Sequence, residues 1–222
     1  MLDEYDPRPG LIKQGKIMTY SAEISRTAPT AFLFLVDQSG SMQDEMTNGK
    51  TKAQFVADVL NRTLMTLIQR CTKAEGTRDY FQLGVLGYSG STADNGLAGA
   101  LSSTVLHPIS QIEASPLRVE DRTKRVDDGA GGLVNQSIRF PVWFEAKAGG
   151  ATPMCQAITR AAEELAAWCD AHPDSYPPTV LHVTDGDQAA LISSALRRHR
   201  SRVRSVVVIN SASELMRLTR IG

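Results

Sequence analysis

The sequence predicts an α/β fold on a mostly parallel sheet, and three observations carry that reading. Residues 31–36, Ala-Phe-Leu-Phe-Leu-Val, form an unbroken apolar run of the kind that fills a central parallel strand covered on both faces. An amphipathic helix follows, and then a second apolar strand at residues 81–88, so the order is strand, helix, strand and the two strands run parallel. A third apolar strand, residues 179–183, comes after another amphipathic helix. With 222 residues the chain has the length of one such domain.

Residues 1–28 are polar and carry prolines, with a weak alternation at 16–25 that suits an edge strand, so the domain is expected over residues 29–222. Past the first strand, Thr51 and Gln54 make a T-x-x-Q capping box. Phe55, Val56, Val59, Leu60, Leu64, Leu67 and Ile68 then share one helical face. The strand at 81–88 ends in the Gly- and Ser-rich GYSGSTADNG. Residues 91–148 read as an irregular insertion: a short strand-like SSTVLHPI, a polar RVEDRTKRVDDGAGG, and an aromatic run in which Pro141 argues against a central strand. Order returns with Thr152 expected at an N-cap and Pro153 in the first turn. Met154, Ala157, Ile158, Ala161, Leu165 and Trp168 form the apolar stripe of that helix. A helix is expected over 188–200, a last strand over 203–210 and a short helix over 214–220.

Composition removes several functional classes. Formal charge is zero, yet residues 188–222 hold seven arginines and one acid, which leaves 17 bases against 23 acids in the rest of the chain. An acidic body with a basic tail lacks the general positive field of a nucleic-acid protein. The run at 197–204, RRHRSRVR, has no interleaved aromatic and reads as a solvated face rather than a nucleic-acid site. No segment approaches the roughly 20 apolar residues needed to span a bilayer. The first residues do not read as a secretory signal, so a cytoplasmic address is expected. Cys71, Cys155 and Cys169 match neither a zinc site nor a redox pair, and Cys155 and Cys169 are expected as small apolar positions on one helix.

Chemistry concentrates at the carboxyl ends of the strands, where ligands collect in open α/β sheets. Asp37, Ser39 and Ser41 follow the first strand, Thr152 opens a helix after a glycine pair, and Asp185 follows the third strand. A bare carboxylate at the end of a core strand must keep water or hold a positive partner. Singly, the serines make turns, Thr152 caps a helix and Asp185 forms an Asx turn. Together, two carboxylates and three hydroxyls form a hard all-oxygen set suited to Mg²⁺ or Mn²⁺ rather than zinc. The nearby acids Asp44, Glu45 and Asp187 read as solvated surface groups.

D-x-S-x-S after an apolar strand, Thr in GG-x-TP and Asp in T-D-G together resemble the von Willebrand factor A family and its metal-ion-dependent adhesion site. The resemblance spans residues 31–187, loosely over 91–148. It implies a doubly wound sheet with helices on both faces, and a divalent cation on Asp37, Ser39, Ser41, Thr152 and Asp185. It further implies a partner protein whose carboxylate completes the metal. Cytoplasmic bacterial members found with tellurite-resistance or kinase and phosphatase systems resemble this chain more than secreted adhesins do.

Rival readings are weaker. An aspartyl phosphatase would carry D-x-D, and Ser39 stands at the second acid. GYSGS matches four of five positions of a nucleophile elbow around Ser89, but Ser91 replaces the last glycine and no helix follows, so a turn at the strand end is expected. Neither G-x-G-x-x-G nor a P-loop occurs. His107, His172, His182 and His199 are scattered, and His182 is expected to be buried and neutral. No base, nucleophile and orienter converge, so the expectation is a non-enzymatic interaction domain; metal-assisted phosphoryl transfer or hydrolysis is the enzymatic alternative. Residues 129–133 and the aromatics Phe140, Trp143 and Phe144 are candidate contributors to the partner surface, the aromatics reading first as core.

Overall fold

A computed structural model describes residues 23–129, 131–185 and 205–209. The expectations for the edge strand at 16–25, the helices at 188–200 and 214–220, and the run 197–204 fall wholly or mostly outside those residues. The central sheet has β1 (Thr30–Asp37) in its middle, flanked by β4 (Phe81–Ser89) and β9 (Thr179–Val183), with β10 (Ser205–Ile209) beyond β9. These four strands are mutually parallel. The far side of β4 is taken by two short antiparallel strands, β5 (Thr92–Asn95) and β6 (Leu106–Pro108). The expected α/β class holds: a mostly parallel sheet with helices packed on it.

Alternation along β1 decides which helix each residue meets. Phe34 and Val36 point into a core shared with α1 (Lys52–Cys71) and the short α2 (Ile109–Ala114). Ala31, Leu33 and Leu35 point into a second core against α3 (Met154–Ala171). The strand is therefore covered on both faces, as its unbroken apolar run requires. The α1 capping box is present: the Thr51 hydroxyl accepts from the Gln54 amide at 3.2 Å, and Gln54 Oε1 accepts from the Thr51 amide at 3.0 Å. Of the last strand expected over 203–210, residues 205–209 are described, and they form β10.

The insertion is more ordered than the sequence suggests. Residues 118–127 and 133–142 form a ten-pair antiparallel ribbon, β7 (Arg118–Asp127) and β8 (Leu133–Val142), separate from the main sheet. Seven of the ten β7 residues are charged, so no apolar alternation announces a strand. Pro141 is tolerated because β8 lies outside the main sheet, with one side of the strand unpaired. A second small ribbon, β2 (Thr72–Lys73) with β3 (Gly76–Thr77), links α1 to β4. Phe140, Trp143 and Phe144 are each about 2% exposed, so they are core rather than partner surface. Cys155 and Cys169 both lie on α3; Cys169 is partly buried and packs against the second core, as expected, whereas Cys155 is exposed beside the apolar stripe. Among the described residues, no helix is long and apolar enough to cross a membrane.

One buried amide pins the ribbon's exit to α1. Asn61 accepts from the Trp143 and Phe144 amides at 2.8 and 3.0 Å, and donates to the Phe144 and Ala57 carbonyls at 2.8 and 2.9 Å. Replacing it orphans two buried amides at once, at about 1–3 kcal/mol each. Asn61→Ala should therefore lower unfolding free energy by about 3 kcal/mol in urea titration, and a loss below 1 kcal/mol would refute this accounting.

Candidate functional site

Three loops meet beyond the carboxyl ends of β1, β4 and β9. The glycine pair before α3 is threaded between the other two: the Gly149 amide donates to the Gln38 carbonyl at 2.9 Å and the Gly40 amide to the Gly150 carbonyl at 3.0 Å. The Gly90 amide, in the turn after β4, donates to the Ala151 carbonyl at 2.9 Å. Gly150 has φ +73°, and a Cβ there would lie 2.9 Å from the Gly90 nitrogen. Only glycine satisfies both the backbone angle and the close approach. Residues 149–151 thus fix where Thr152 leaves the rim.

Asp37 ends β1 and is 2% exposed. Its Oδ1 accepts from the Ser39 amide at 2.8 Å and its Oδ2 from the Thr184 hydroxyl at 3.1 Å. Ser39 and Ser41 place their hydroxyl oxygens 3.2 Å apart, and Ser41 donates onward to Asp185 Oδ1 at 3.1 Å. Four of the five expected residues are therefore joined in one hydrogen-bonded chain that crosses from the β1 loop to the β9 loop. Thr152 is delivered to the same rim by its neighbours' backbone bonds and is exposed. It is not the helix cap expected from sequence: Pro153 occupies the N-cap without a side-chain bond, and the Thr152 carbonyl instead accepts from Met154 in a turn. Pro153 itself has ψ 56°, outside the helical region, so the helix opens one residue later, at Met154.

A cation that sequence reasoning missed, Lys52, stands at the rim and pairs with Asp185 and Asp44 rather than with Asp37. Its Nζ lies 2.9 Å from Asp185 Oδ2 and 2.8 Å from Asp44 Oδ2. Burial pushes the Asp185 carboxyl up, but hydrogen bonds from Lys52 and Ser41 outweigh it and hold the group below the usual carboxylate range. Those carboxylates raise the Lys52 ammonium in turn, Asp185 first and Asp44 second. A signal was present in the sequence, because Lys52 is the first residue of α1 and a cation there opposes the helix dipole. Asp44 is consequently an ion-pair partner rather than only a solvated acid, and Asp187 lies outside the described residues. Among the described residues, no group of three or more His, Cys, Asp or Glu side chains is placed to hold a metal, so any cation here depends on the hydroxyls.

Behind Asp37 lies a buried polar pair. The Tyr88 hydroxyl is 2.7 Å from His182 Nε2, and both residues are fully buried. Burial first and the Asp37 charge second push the Tyr88 phenol far above its ordinary range. His182 is depressed from 6.5 to about 4 by burial, against a smaller opposing pull from Asp37, so it is neutral as expected. Among the described residues its Nδ1 has no hydrogen-bond partner. Ser89 closes β4 and a two-residue turn leads straight into β5, so the strand-turn-helix of a nucleophile elbow is absent at this position.

No protein-family model matches the chain, and no curated protein matches it. Among solved structures it is similar to three N-terminal domains of the type V pili tip protein Mfa5 from Porphyromonas gingivalis, at 12% identity and a TM-score of 0.39 over 72% of this chain and 20% of that one. The PilB minor pilin from Streptococcus sanguinis gives 12% identity and a TM-score of 0.41 over 86% and 60%. The vWF domain of Mfa5 gives 9% and 0.34 over 87% and 94%. The chain spans about a fifth of the first of these proteins. Likenesses this distant assign neither site nor activity, and the fold rests on the sheet topology above.

His182 makes stability depend on pH. Its folded value lies below its ordinary one, so as pH falls from 6.5 towards 4 the unfolded chain takes up a proton that the folded chain refuses. Stability from this group is intact above 6.5 and declines through that window by on the order of 3 kcal/mol in total. His182→Gln should remove this component, so the stability gap between wild type and variant should narrow as pH drops. A gap constant between pH 7 and pH 4.5 would rule out the buried neutral imidazole.

Proposed function

We propose that the domain is a non-enzymatic, divalent-metal-dependent protein-interaction module that captures a carboxylate of a partner protein at the rim of its sheet. The observation that carries this reading is the chain Ser39–Ser41–Asp185, which joins hydroxyls after β1 to a carboxylate after β9. Hydroxyls that now bond one another are neutral oxygen donors available to a hard cation, and the two acids supply its counter-charge. The donor set fits Mg²⁺ or Mn²⁺: Asp37, Ser39, Ser41, Thr152 and Asp185 would hold the ion, which when bound would offer an electrophilic position to an incoming carboxylate. Asp37 is oriented for this by the Ser39 amide and the Thr184 hydroxyl. Lys52 holds Asp185 in place and neutralises it until a stronger cation competes.

This reading accords with the resemblance to von Willebrand factor A domains in the residues that carry it. It puts the partner among acidic proteins, with components of a kinase or phosphatase system as candidates, and the setting in the cytoplasm. The Tyr88–His182 pair supports Asp37 from behind and has no path to a substrate, since both side chains are fully buried.

Isothermal titration of Mn²⁺ and Mg²⁺ into chelator-treated protein tests the proposal. One equivalent should bind, Asp37→Ala and Asp185→Ala should abolish binding, and Lys52→Met should tighten it by removing the chain's own cation. A wild-type isotherm in Asp37→Ala would sink the site. Turnover of phosphoesters in Mg²⁺, lost in Asp37→Ala, would replace the interaction reading with an enzymatic one.

A further inference from the structure

The β7–β8 ribbon is the feature that the rim does not absorb. Its base is held down: Arg122 lies 3.8 Å over the Phe140 ring and pairs with Asp58 of α1 at 3.0 Å. Its distal half is exposed on both faces, from Thr123 to Asp127 and from Leu133 to Ser137, except at Val126. Three of the four exposed large apolar side chains among the described residues lie on this ribbon: Val119, Leu133 and Val134 at 43, 68 and 48%. A two-stranded ribbon bare on both faces is marginal in water and calls for further strands or a covering surface.

The two outer edges differ. β7 is guarded by seven charged side chains in ten positions, the usual protection of an unpaired edge. Residues 133–138 of β8, Leu-Val-Asn-Gln-Ser-Ile, carry no charge and no proline. Among the described residues, no backbone hydrogen bond joins this edge to another element. The even-numbered pairs are in register with the bond from the Asp128 amide to the Gly132 carbonyl, so the odd-numbered residues of β8 turn their amides and carbonyls outward.

We infer that this edge pairs antiparallel with the same edge of a second copy, making a four-stranded sheet about a two-fold axis at Gln136. A two-fold axis sets the strand against itself, so a charged edge would have to match each acid to a base across the axis, a constraint that the uncharged segment of β8 does not face. Centred on Gln136, the register sets Val134 against Ile138 of the second copy and Asn135 against its Ser137. Val126, which pairs with Val134 within the ribbon, extends the same apolar row. The odd-numbered residues then exchange the hydrogen bonds, as their outward orientation requires. Leu133 packs along the aliphatic stem of the second copy's Arg139. The second copy is favoured over a foreign strand because the segment complements itself in size, polarity and hydrogen bonding. The inference is independent of the metal reading.

Sedimentation velocity on the full chain should show the mass double as concentration rises. Gln136 stands opposite itself as a pair without direct hydrogen bonds, at a Cα separation of about 4.5 Å that suits a disulfide. In a Cys155→Ser, Cys169→Ser background, Gln136→Cys should therefore form a covalent dimer on mild oxidation, while Asn135→Cys should form far less. Val134→Lys, at a position already half exposed, should leave the circular dichroism spectrum unchanged and abolish the dimer. A chain that stays monomeric at every concentration overturns the inference. So does a dimer that survives Val134→Lys while Gln136→Cys fails to cross-link, since another surface would then be responsible. If Val134→Lys fails to fold, the paired cysteine variants decide.

Discussion

A carboxylate buried at the end of a strand covered on both faces is the constraint around which the upper rim is arranged. Asp37 is carried into the interior by the packing of β1 between two cores, and leaving it without bonds there would cost several kcal/mol. The rim answers with one backbone amide from the loop after β1 and one hydroxyl from just past the end of β9, Ser39 and Thr184. Those two bonds oblige the loops after β1 and β9 to stay together. The glycine pair at 149–150 then locks the α3 loop against them through main-chain bonds, which need no particular side chain. Site geometry is thus a consequence of how the fold accommodates one charge, and the serines lie where they do because the turn that bonds Asp37 leads through them.

Electrostatics at the rim is balanced rather than simply negative. Lys52 sits at the amino end of α1, where the helix dipole disfavours a cation by a few tenths of a kcal/mol to about 1. Two carboxylates on two other segments offset that, and Asp185 is held ionised in return. Lys52 thus offsets the charge of Asp185, and on the proposed reading a divalent cation would have to compete with this ammonium. An ammonium satisfies one carboxylate at a time as a point charge, whereas a small divalent ion can draw on hydroxyls as well. On the proposed reading, specificity for such an ion would reside in Ser39, Ser41 and Thr152 more than in the acids.

Much of this was legible in the residues, and what was not has identifiable reasons. The apolar run at 31–36, the Thr51–Gln54 box and the α3 stripe each determine local structure through period or capping, and each element lies where that logic puts it. The chain of bonds from Ser39 to Asp185 was legible as a juxtaposition because topology brings parallel strand ends together. Lys52 was not, since its role depends on how far a flexible stem reaches across two loops. Thr152 was misjudged as a cap because Thr-Pro satisfies two helix-start preferences at once, whereas Pro153 takes a non-helical ψ of 56° and the helix opens at Met154. The β7–β8 ribbon escaped notice for a different reason: a strand solvated on both faces needs no apolar alternation, and periodicity reports burial, not extension.

The same ribbon shows how an insertion can be rigid at one end and incomplete at the other. From Lys50 through Asp58, Arg122, Glu120 and Arg118 to Glu145, opposite charges alternate in one continuous ladder across α1, both ends of β7's base and the segment after β8. Burial pushes Asp58 up, yet Lys50 and Arg122 outweigh it and hold the carboxyl below its usual range, while Glu120 is lowered by Arg122 and then Arg118. Each exposed rung contributes little alone, but in a network one partner is already ordered when the next binds, so the ladder fixes orientation more than it adds stability. Among the described residues the ladder stops beyond Arg122, and so does the buried aromatic surface at Phe140. The remaining strand pairs keep their hydrogen bonds but are mostly exposed among the described residues. An arm oriented at its root and uncovered at its tip presents a β8 edge in a fixed direction, the condition under which strand pairing costs least in lost freedom.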